Sequence, residues 1–126
     1  MTEAELQILV ADYLRLQYPD IMFHSDYGAG IKLTMGQATR QKRQNGGRRG
    51  WPDMFIAEPK SIYHGLFIEL KKEGTRLWKK DGSAASEHIA EQLKVLGSLA
   101  DRGYRAMFAC GFNEAKEVID KYLNNN

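Results

Sequence analysis

Residues 66–71 read Leu-Phe-Ile-Glu-Leu-Lys, a short stretch that combines strongly apolar composition with two charges. The composition predicts a β-strand that is covered on both faces of a sheet. Because side chains alternate along a strand, Phe67, Glu69 and Lys71 share one face. Burying a carboxylate and an ammonium group is costly unless something compensates both charges. The strand therefore predicts a chemical site as well as a core element.

A second acid, Asp53, follows Trp51-Pro52 at the start of another strand, which we predict over residues 53–57. A turn at residues 58–61 and the strand at residues 65–71 would complete a hairpin and bring Asp53 opposite Glu69. Two converging carboxylates repel each other, and one stays protonated unless a cation lies between them.

Mg²⁺ or Mn²⁺ is the cation that this arrangement suggests, since either ion uses one or two carboxylates together with water and phosphate oxygens. The backbone carbonyl of Leu70 could supply a further oxygen. The sequence thus predicts metal-dependent hydrolysis of a nucleic-acid backbone, with Lys71 orienting the water or stabilising the developing charge. A plain salt bridge between Glu69 and Lys71, with Asp53 unrelated to it, is the competing interpretation.

The remaining elements follow from apolar periodicity and from capping residues. The fold class predicted is α/β, a mixed β-sheet flanked by α-helices in the order α-β-β-β-α-β-α, within one domain over residues 1–126. Thr2 and Glu5 form the capping box of the first helix, and Asn113 is expected to cap the last. The predicted helices cover residues 3–17, 86–102 and the stretch after 113; the other strands cover 21–24 and 104–109; long loops cover 25–50 and 72–85.

Charge is unevenly distributed along the chain, although the net charge is only +2. No acid lies between Asp26 and Asp53, whereas the rest of the chain carries 12 basic and 16 acidic side chains. Such segregation suits contact with a polyanion such as DNA, although a solvated basic loop would look the same. The basic residues of this segment are Lys32, Arg40, Lys42, Arg43, Arg48 and Arg49.

The bulk composition excludes several classes of protein. The single cysteine, Cys110, cannot form an internal disulfide and fits a cytoplasmic location. No apolar run is long enough for a membrane span, and the N-terminus has no signal-peptide pattern. The three histidines, His24, His64 and His88, lack the spacing of a zinc site.

Together these features resemble the stand-alone VRR-NUC domains, a branch of the PD-(D/E)xK nuclease superfamily. The resemblance covers nearly the whole chain and rests on residues 3–7, 50–53 and 66–71, on Gln92, and on Gly103-Tyr104. It implies a restriction-endonuclease-like fold, a divalent metal, and cleavage of DNA, often at flaps or four-way (Holliday) junctions. It also implies a homodimer, in a bacterial or phage-infected cell.

Carried over to this chain, the resemblance makes Asp53 and Glu69 the metal-binding acids and Lys71 the catalytic lysine. It places Gln92 beside the site and makes Glu3 a further acid from the first helix. Surface positions remain the alternative for Glu3 and Gln92. A non-catalytic nucleic-acid-binding module is the alternative function, while a sequence-specific restriction enzyme would need more chain for base recognition.

Trp78 is the remaining candidate, since it lies among Arg76, Lys79 and Lys80. An aromatic side chain between basic residues can stack on an exposed nucleobase. It can equally pack its loop against the body of the protein, and the sequence leaves both interpretations open.

Overall fold

A computed structural model describes residues 1–26 and 33–124. In this part of the chain the strands form one sheet in the order β1-β2-β3-β4. The pairs β1–β2 and β2–β3 are antiparallel, and β3–β4 is parallel, so the sheet is mixed, as predicted. The strands are β1 (Phe23–Ser25), β2 (Met54–Ile56), β3 (Leu66–Lys71) and β4 (Arg105–Cys110), and the helices are α1 (Glu3–Gln17), α2 (Met35–Gln44), α3 (Glu87–Asp101) and α4 (Phe112–Leu123).

One face of the sheet forms the main core. Leu66, Ile68 and Leu70 of β3 point to this face, and each is at most 1% exposed. They belong to one buried cluster with apolar side chains of α1 and α4, so these two helices cover this face. Burial of each such side chain stabilises the fold by about 1.5–3 kcal/mol, which fixes the register of β3.

The opposite face carries α3 and an aromatic cluster. Phe67 stacks on Phe55 with ring centroids 4.4 Å apart and meets Tyr104 edge-on at 5.2 Å. The ring centroid of Trp51 lies 6.2 Å from that of Phe67. Since Phe67, Glu69 and Lys71 share this face, the aromatic cluster shields one side of the charged residues.

The long polar region predicted as a loop over residues 25–50 contains a helix, α2, and in this respect the prediction was wrong. Thr34 caps α2: its hydroxyl accepts from the Gln37 amide at 3.1 Å, and the Gln37 side chain accepts from the Thr34 amide at 2.9 Å. The helix buries no side chain, so it has no apolar periodicity to reveal it. The capping box was its one clear sequence signal.

The start of α4 also differs from the prediction, because Gly111 rather than Asn113 occupies the N-cap position. The Gly111 amide donates to the Lys71 carbonyl at 2.8 Å, which extends the pairing of β3 with β4 up to the helix. Gly111 has φ 87° and lies against Glu73, where an added Cβ would approach to 3.0 Å. Only glycine meets both demands comfortably.

Other boundaries agree with the sequence within one or two residues. The Thr2–Glu5 capping box is confirmed by reciprocal hydrogen bonds of 3.1 and 3.3 Å. Throughout residues 1–26 and 33–124, the helices are too short or too polar to cross a bilayer.

Candidate active site

The antiparallel register of β2 and β3 places Asp53 beside Glu69. Met54 pairs with Ile68, so the residue before Met54 faces the residue after Ile68. The Asp53 amide donates to Glu69 Oε2 at 3.1 Å, and the Leu70 amide donates to Asp53 Oδ2 at 2.8 Å. Each carboxylate is thereby held by a backbone amide of the neighbouring strand segment.

Burial makes this pair of acids electrostatically unusual. Glu69 is 4% exposed, and burial, followed by the nearby charge of Asp53, raises its pKa to about 9. Burial also raises the pKa of Asp53, although the hydrogen bond from the Leu70 amide opposes the change. At neutral pH, without a cation, the pair therefore retains a proton.

Lys71 supplies a buried positive charge on the same face. Its side chain is 7% exposed, and its Nζ lies 4.0 Å from Glu69 Oε1. This distance allows electrostatic attraction but exceeds a normal hydrogen bond, so the ammonium retains donors for another group.

Gln92 reaches the same carboxylate from α3. Its Nε2 donates to Glu69 Oε1, while its own Oε1 is buried and has no partner among the residues described. An unsatisfied buried acceptor costs about 1–3 kcal/mol. A group from solution that donates to this oxygen would recover that cost.

The first helix contributes two polar residues. Gln7 is 8% exposed, and its Nε2 donates to the carbonyls of Asp26 at 3.0 Å and Asp53 at 3.4 Å. Glu3 is half-buried in the first turn, and its charge adds to burial in raising the pKa of Asp53. Gln7 follows Glu3 by four residues and shares the side of α1 that carries Leu6, which is the sequence signal that both polar side chains can face inward.

A metal ion at this position could not rely on protein side chains alone. Within residues 1–26 and 33–124, no three histidine, cysteine or acidic side chains are grouped closely enough to bind one. Asp53 and Glu69 are two carboxylates, which matches the small protein contribution typical of Mg²⁺ sites that also use water and phosphate.

The architecture has known counterparts. No protein-family model matches the chain, and neither does any curated protein. A solved structure described as a VRR_NUC domain protein is similar to it, with a TM-score of 0.70 and 28% sequence identity over 98% of this chain and 89% of the other. The chain has the VRR-NUC fold. A second structure, described as a VRR_NUC domain, shares the fold with a TM-score of 0.51 and 18% identity over 97% of this chain and 99% of the other.

The resemblance to VRR-NUC domains inferred from the sequence is therefore confirmed, together with the restriction-endonuclease-like α/β fold. In this VRR-NUC fold the predicted residues lie together: Asp53, just before β2, meets Glu69 and Lys71 of β3, and Gln92 reaches them from α3. Glu3 lies within electrostatic range of them but forms no hydrogen bond to them in the described residues.

The basic segment of this chain leads directly into the site. Arg40, Lys42 and Arg43 are exposed on α2, and Arg48 and Arg49 are exposed just beyond it. Lys32, predicted to bind DNA with them, lies outside the described residues. A cleft of about 410 Å³ between α2 and residues 48–51 includes Lys42, Arg48 and Arg49 on its walls.

Gly50 fixes the end of the basic segment against α3. Its φ is 81°, and an added Cβ would lie 3.1 Å from the backbone carbonyl of Glu91 and 3.2 Å from the Gln92 amide nitrogen. Glycine is thus required twice, for its backbone conformation and for the close approach. The packing places the basic segment next to the helix turn that carries Gln92.

Gly50→Ala is expected to lower the free energy of unfolding by about 2–4 kcal/mol, because left-handed strain adds to a tight contact with helix backbone that cannot easily move away. Gly46→Ala is the matched control: Gly46 also has a positive φ, 68°, but an added Cβ meets nothing within 4 Å. The control is expected to lose only about 1 kcal/mol. Urea unfolding measures both, and equal losses would show that the contact with α3 is unimportant.

Proposed function

We propose that this chain is a metal-dependent deoxyribonuclease that hydrolyses phosphodiester bonds in branched DNA, such as a flap or a four-way junction. The observation that carries the proposal is the pair formed by half-buried Asp53 and buried Glu69, held by hydrogen bonds to each other's strand segment, with Lys71 and Gln92 both directed at Glu69. Similarity to VRR-NUC domain proteins supports a nuclease-type domain.

The residues present fit a divalent cation. Asp53 and Glu69 would hold Mg²⁺ or Mn²⁺, with the Leu70 carbonyl as an additional oxygen donor and Glu3 contributing its negative charge from farther away. The pKa of Glu69, which burial and the nearby charge of Asp53 raise, supports a cation at this position, since a positive charge between the two carboxylates would relieve their repulsion. When bound, the ion would lower the pKa of a water molecule and polarise the scissile phosphate.

Lys71 and Gln92 would position the water and stabilise charge during hydrolysis. The Lys71 ammonium, with donors left over from its attraction to Glu69, would orient the attacking water or stabilise the negative charge that develops on phosphate. Gln92 would hold Glu69 in position through its amide nitrogen. Its unpaired amide oxygen would accept a hydrogen bond from water in the site.

The exposed arginines and lysines of α2 and residues 48–49 would contact backbone phosphates near the site. Such contacts fix the position of DNA without reading its sequence. Since a branched DNA presents two strands to cut, a twofold homodimer would suit the reaction. Sedimentation that shows only monomer at micromolar concentration, with and without DNA, would contradict the dimer.

Incubation of the pure protein with end-labelled flap, fork, four-way junction and continuous duplex DNA tests the proposed function. Cleavage of branched DNA is expected with Mg²⁺ or Mn²⁺ and none with chelator. If branched DNA is bound but not cut with either ion, the chain is a non-catalytic nucleic-acid-binding module. Cuts at one fixed sequence in every duplex would instead indicate a sequence-specific enzyme.

Arg48→Gln combined with Arg49→Gln is expected to make DNA binding less sensitive to salt. Each lost phosphate contact lowers the slope of log K against log salt by about 0.9, so the double variant should lose nearly 2 from the slope. The measurement is fluorescence anisotropy at several salt concentrations in chelator. Lys121→Gln, an exposed charge on α4, is the control and should leave the slope unchanged.

A further inference from the structure

The chain between β3 and α3 forms an ordered hairpin over residues 77–85, which we name the Trp78 hairpin. Trp78 and Ala84 pair as an antiparallel bridge. The Ala85 amide donates to the Leu77 carbonyl at 2.9 Å, at the open end of the hairpin. The loop predicted over residues 72–85 thus contains a defined structure.

Local hydrogen bonds also fix the tip of the Trp78 hairpin. The Lys79 amide donates to the Ser83 carbonyl at 2.8 Å, and the Gly82 amide donates to the Lys79 carbonyl at 3.0 Å. Asp81 accepts from both the amide and the hydroxyl of Ser83, at 3.0 and 2.6 Å. The one acid at the tip is therefore engaged within its own turn.

The surface of the hairpin combines an exposed aromatic ring with positive charge. Trp78 is 47% exposed, and in the described part of the chain it contacts no other aromatic ring, whereas Trp51 packs near Phe67. Lys79, Lys80 and Arg76 are also exposed. Arg76 Nε donates to the Trp78 carbonyl at 2.8 Å, which holds the guanidinium close to the tryptophan.

The Trp78 hairpin connects two elements of the candidate active site, β3 and α3. It follows Lys71 by a few residues, and it leads into Ser86, the N-cap of the helix that carries Gln92. Trp78 is the seventh residue after Lys71, so their Cα atoms lie at most about 25 Å apart. That distance corresponds to about seven nucleotides along one strand of a duplex.

We propose that Trp78 stacks on an unpaired nucleobase of the DNA strand that enters the site, while Arg76, Lys79 and Lys80 neutralise the phosphates beside that base. An indole stacks on any base that is out of a duplex, and basic side chains hold the strand without regard to sequence. The hairpin thereby selects DNA with unpaired bases over continuous duplex. The link to cleavage rests on the proposed function, whereas the base contact itself does not.

Binding in chelator tests this subsite without any cleavage. Trp78→Ala is expected to weaken binding of DNA with a single-stranded flap about tenfold and to change binding of continuous duplex less than about twofold. Trp78→Phe, which retains a ring, should recover most of the loss. Unchanged flap binding by Trp78→Ala, or an equal loss on both DNAs, would overturn the proposal, and the second outcome would indicate phosphate contacts only.

Tryptophan emission provides an independent measurement if Trp78→Ala affects folding. The chain has two tryptophans, so Trp51→Phe leaves Trp78 as the only one. Its emission should be quenched by flap DNA and hardly changed by continuous duplex; the same response to both would exclude stacking. If flap DNA quenches the emission but the protein cuts no DNA, the base contact stands and the proposed nuclease function is contradicted. If the protein cuts branched DNA without this quenching, the nuclease function stands and the base contact is contradicted.

Discussion

Asp53→Asn is expected to lower the rate of DNA cleavage by about a thousandfold or more. Asparagine has nearly the same shape and can still accept the hydrogen bond from the Leu70 amide, so the strands should keep their register. The variant loses the negative charge that would hold a cation next to Glu69. Its affinity for DNA in chelator should change less than about threefold, because the exposed basic residues are untouched. Single-turnover cleavage and anisotropy measure the two effects separately.

Asp12→Asn is the matched control for this experiment. Asp12 is exposed on α1, and its one ion pair in the described part of the chain is with Arg15, at 3.7 Å, so its replacement should leave cleavage unchanged. Lys71→Met removes the positive charge from the same site and should also remove most of the cleavage activity. If Asp53→Asn cleaves within about tenfold of the unmodified protein, the paired carboxylates do not carry the reaction.

Glu69→Gln is expected to alter how stability depends on pH. Because the pKa of Glu69 is raised from 4.5 to about 9 on folding, the folded state retains a proton that the unfolded state releases. The stability this proton contributes is complete below about pH 4.5 and is lost as pH rises towards and through 9. Glutamine is neutral throughout and loses no such stability. As pH rises from 5 to 9, the free energy of unfolding of the variant should therefore rise by roughly 3–6 kcal/mol relative to that of the unmodified protein. Urea unfolding in chelator measures this difference.

Glu117→Gln, an exposed substitution on α4, should show no such change in relative stability with pH. Adding Mg²⁺ or Mn²⁺ at pH 8 should stabilise the unmodified protein, since a cation that binds only the folded state replaces the proton. The same addition should affect Glu69→Gln much less. Stability curves that run parallel for Glu69→Gln and the unmodified protein would contradict the buried, proton-sharing pair.

The local parts of the fold were predictable because local chemistry specifies them. The apolar residues of β3, the alternation that separates Ile68 from Glu69, and the Thr2–Glu5 capping box are all present as expected. Helix α2 was missed because none of its side chains is buried, and apolar periodicity reports burial rather than helicity. Asn113 was a reasonable N-cap by residue type, but pairing of β4 with β3 continues to Gly111 and determines where α4 begins.

The candidate site was predictable to a different degree. A hairpin joining β2 to β3 was enough to place Asp53 opposite Glu69. The contact from Gln92 depends on how α3 crosses the sheet, which local sequence does not specify, so only the family resemblance indicated it. The hydrogen bonds of Gln7 to two distant carbonyls likewise depend on tertiary packing. Metal binding, the catalytic roles and the dimer remain predictions.

The hydrogen bonds that join Asp26 to Asp53 have an evolutionary consequence. The Asp26 amide donates to the Asp53 carbonyl at 2.6 Å, and Gln7 binds the carbonyls of both residues. These hydrogen bonds therefore hold together the two ends of the segment between Asp26 and Asp53. The free energy of closing a loop rises only slowly with its length. Descendants could lengthen, shorten or replace residues 27–49, and so acquire new nucleic-acid preferences, while Gly50 and the carboxylates kept their positions.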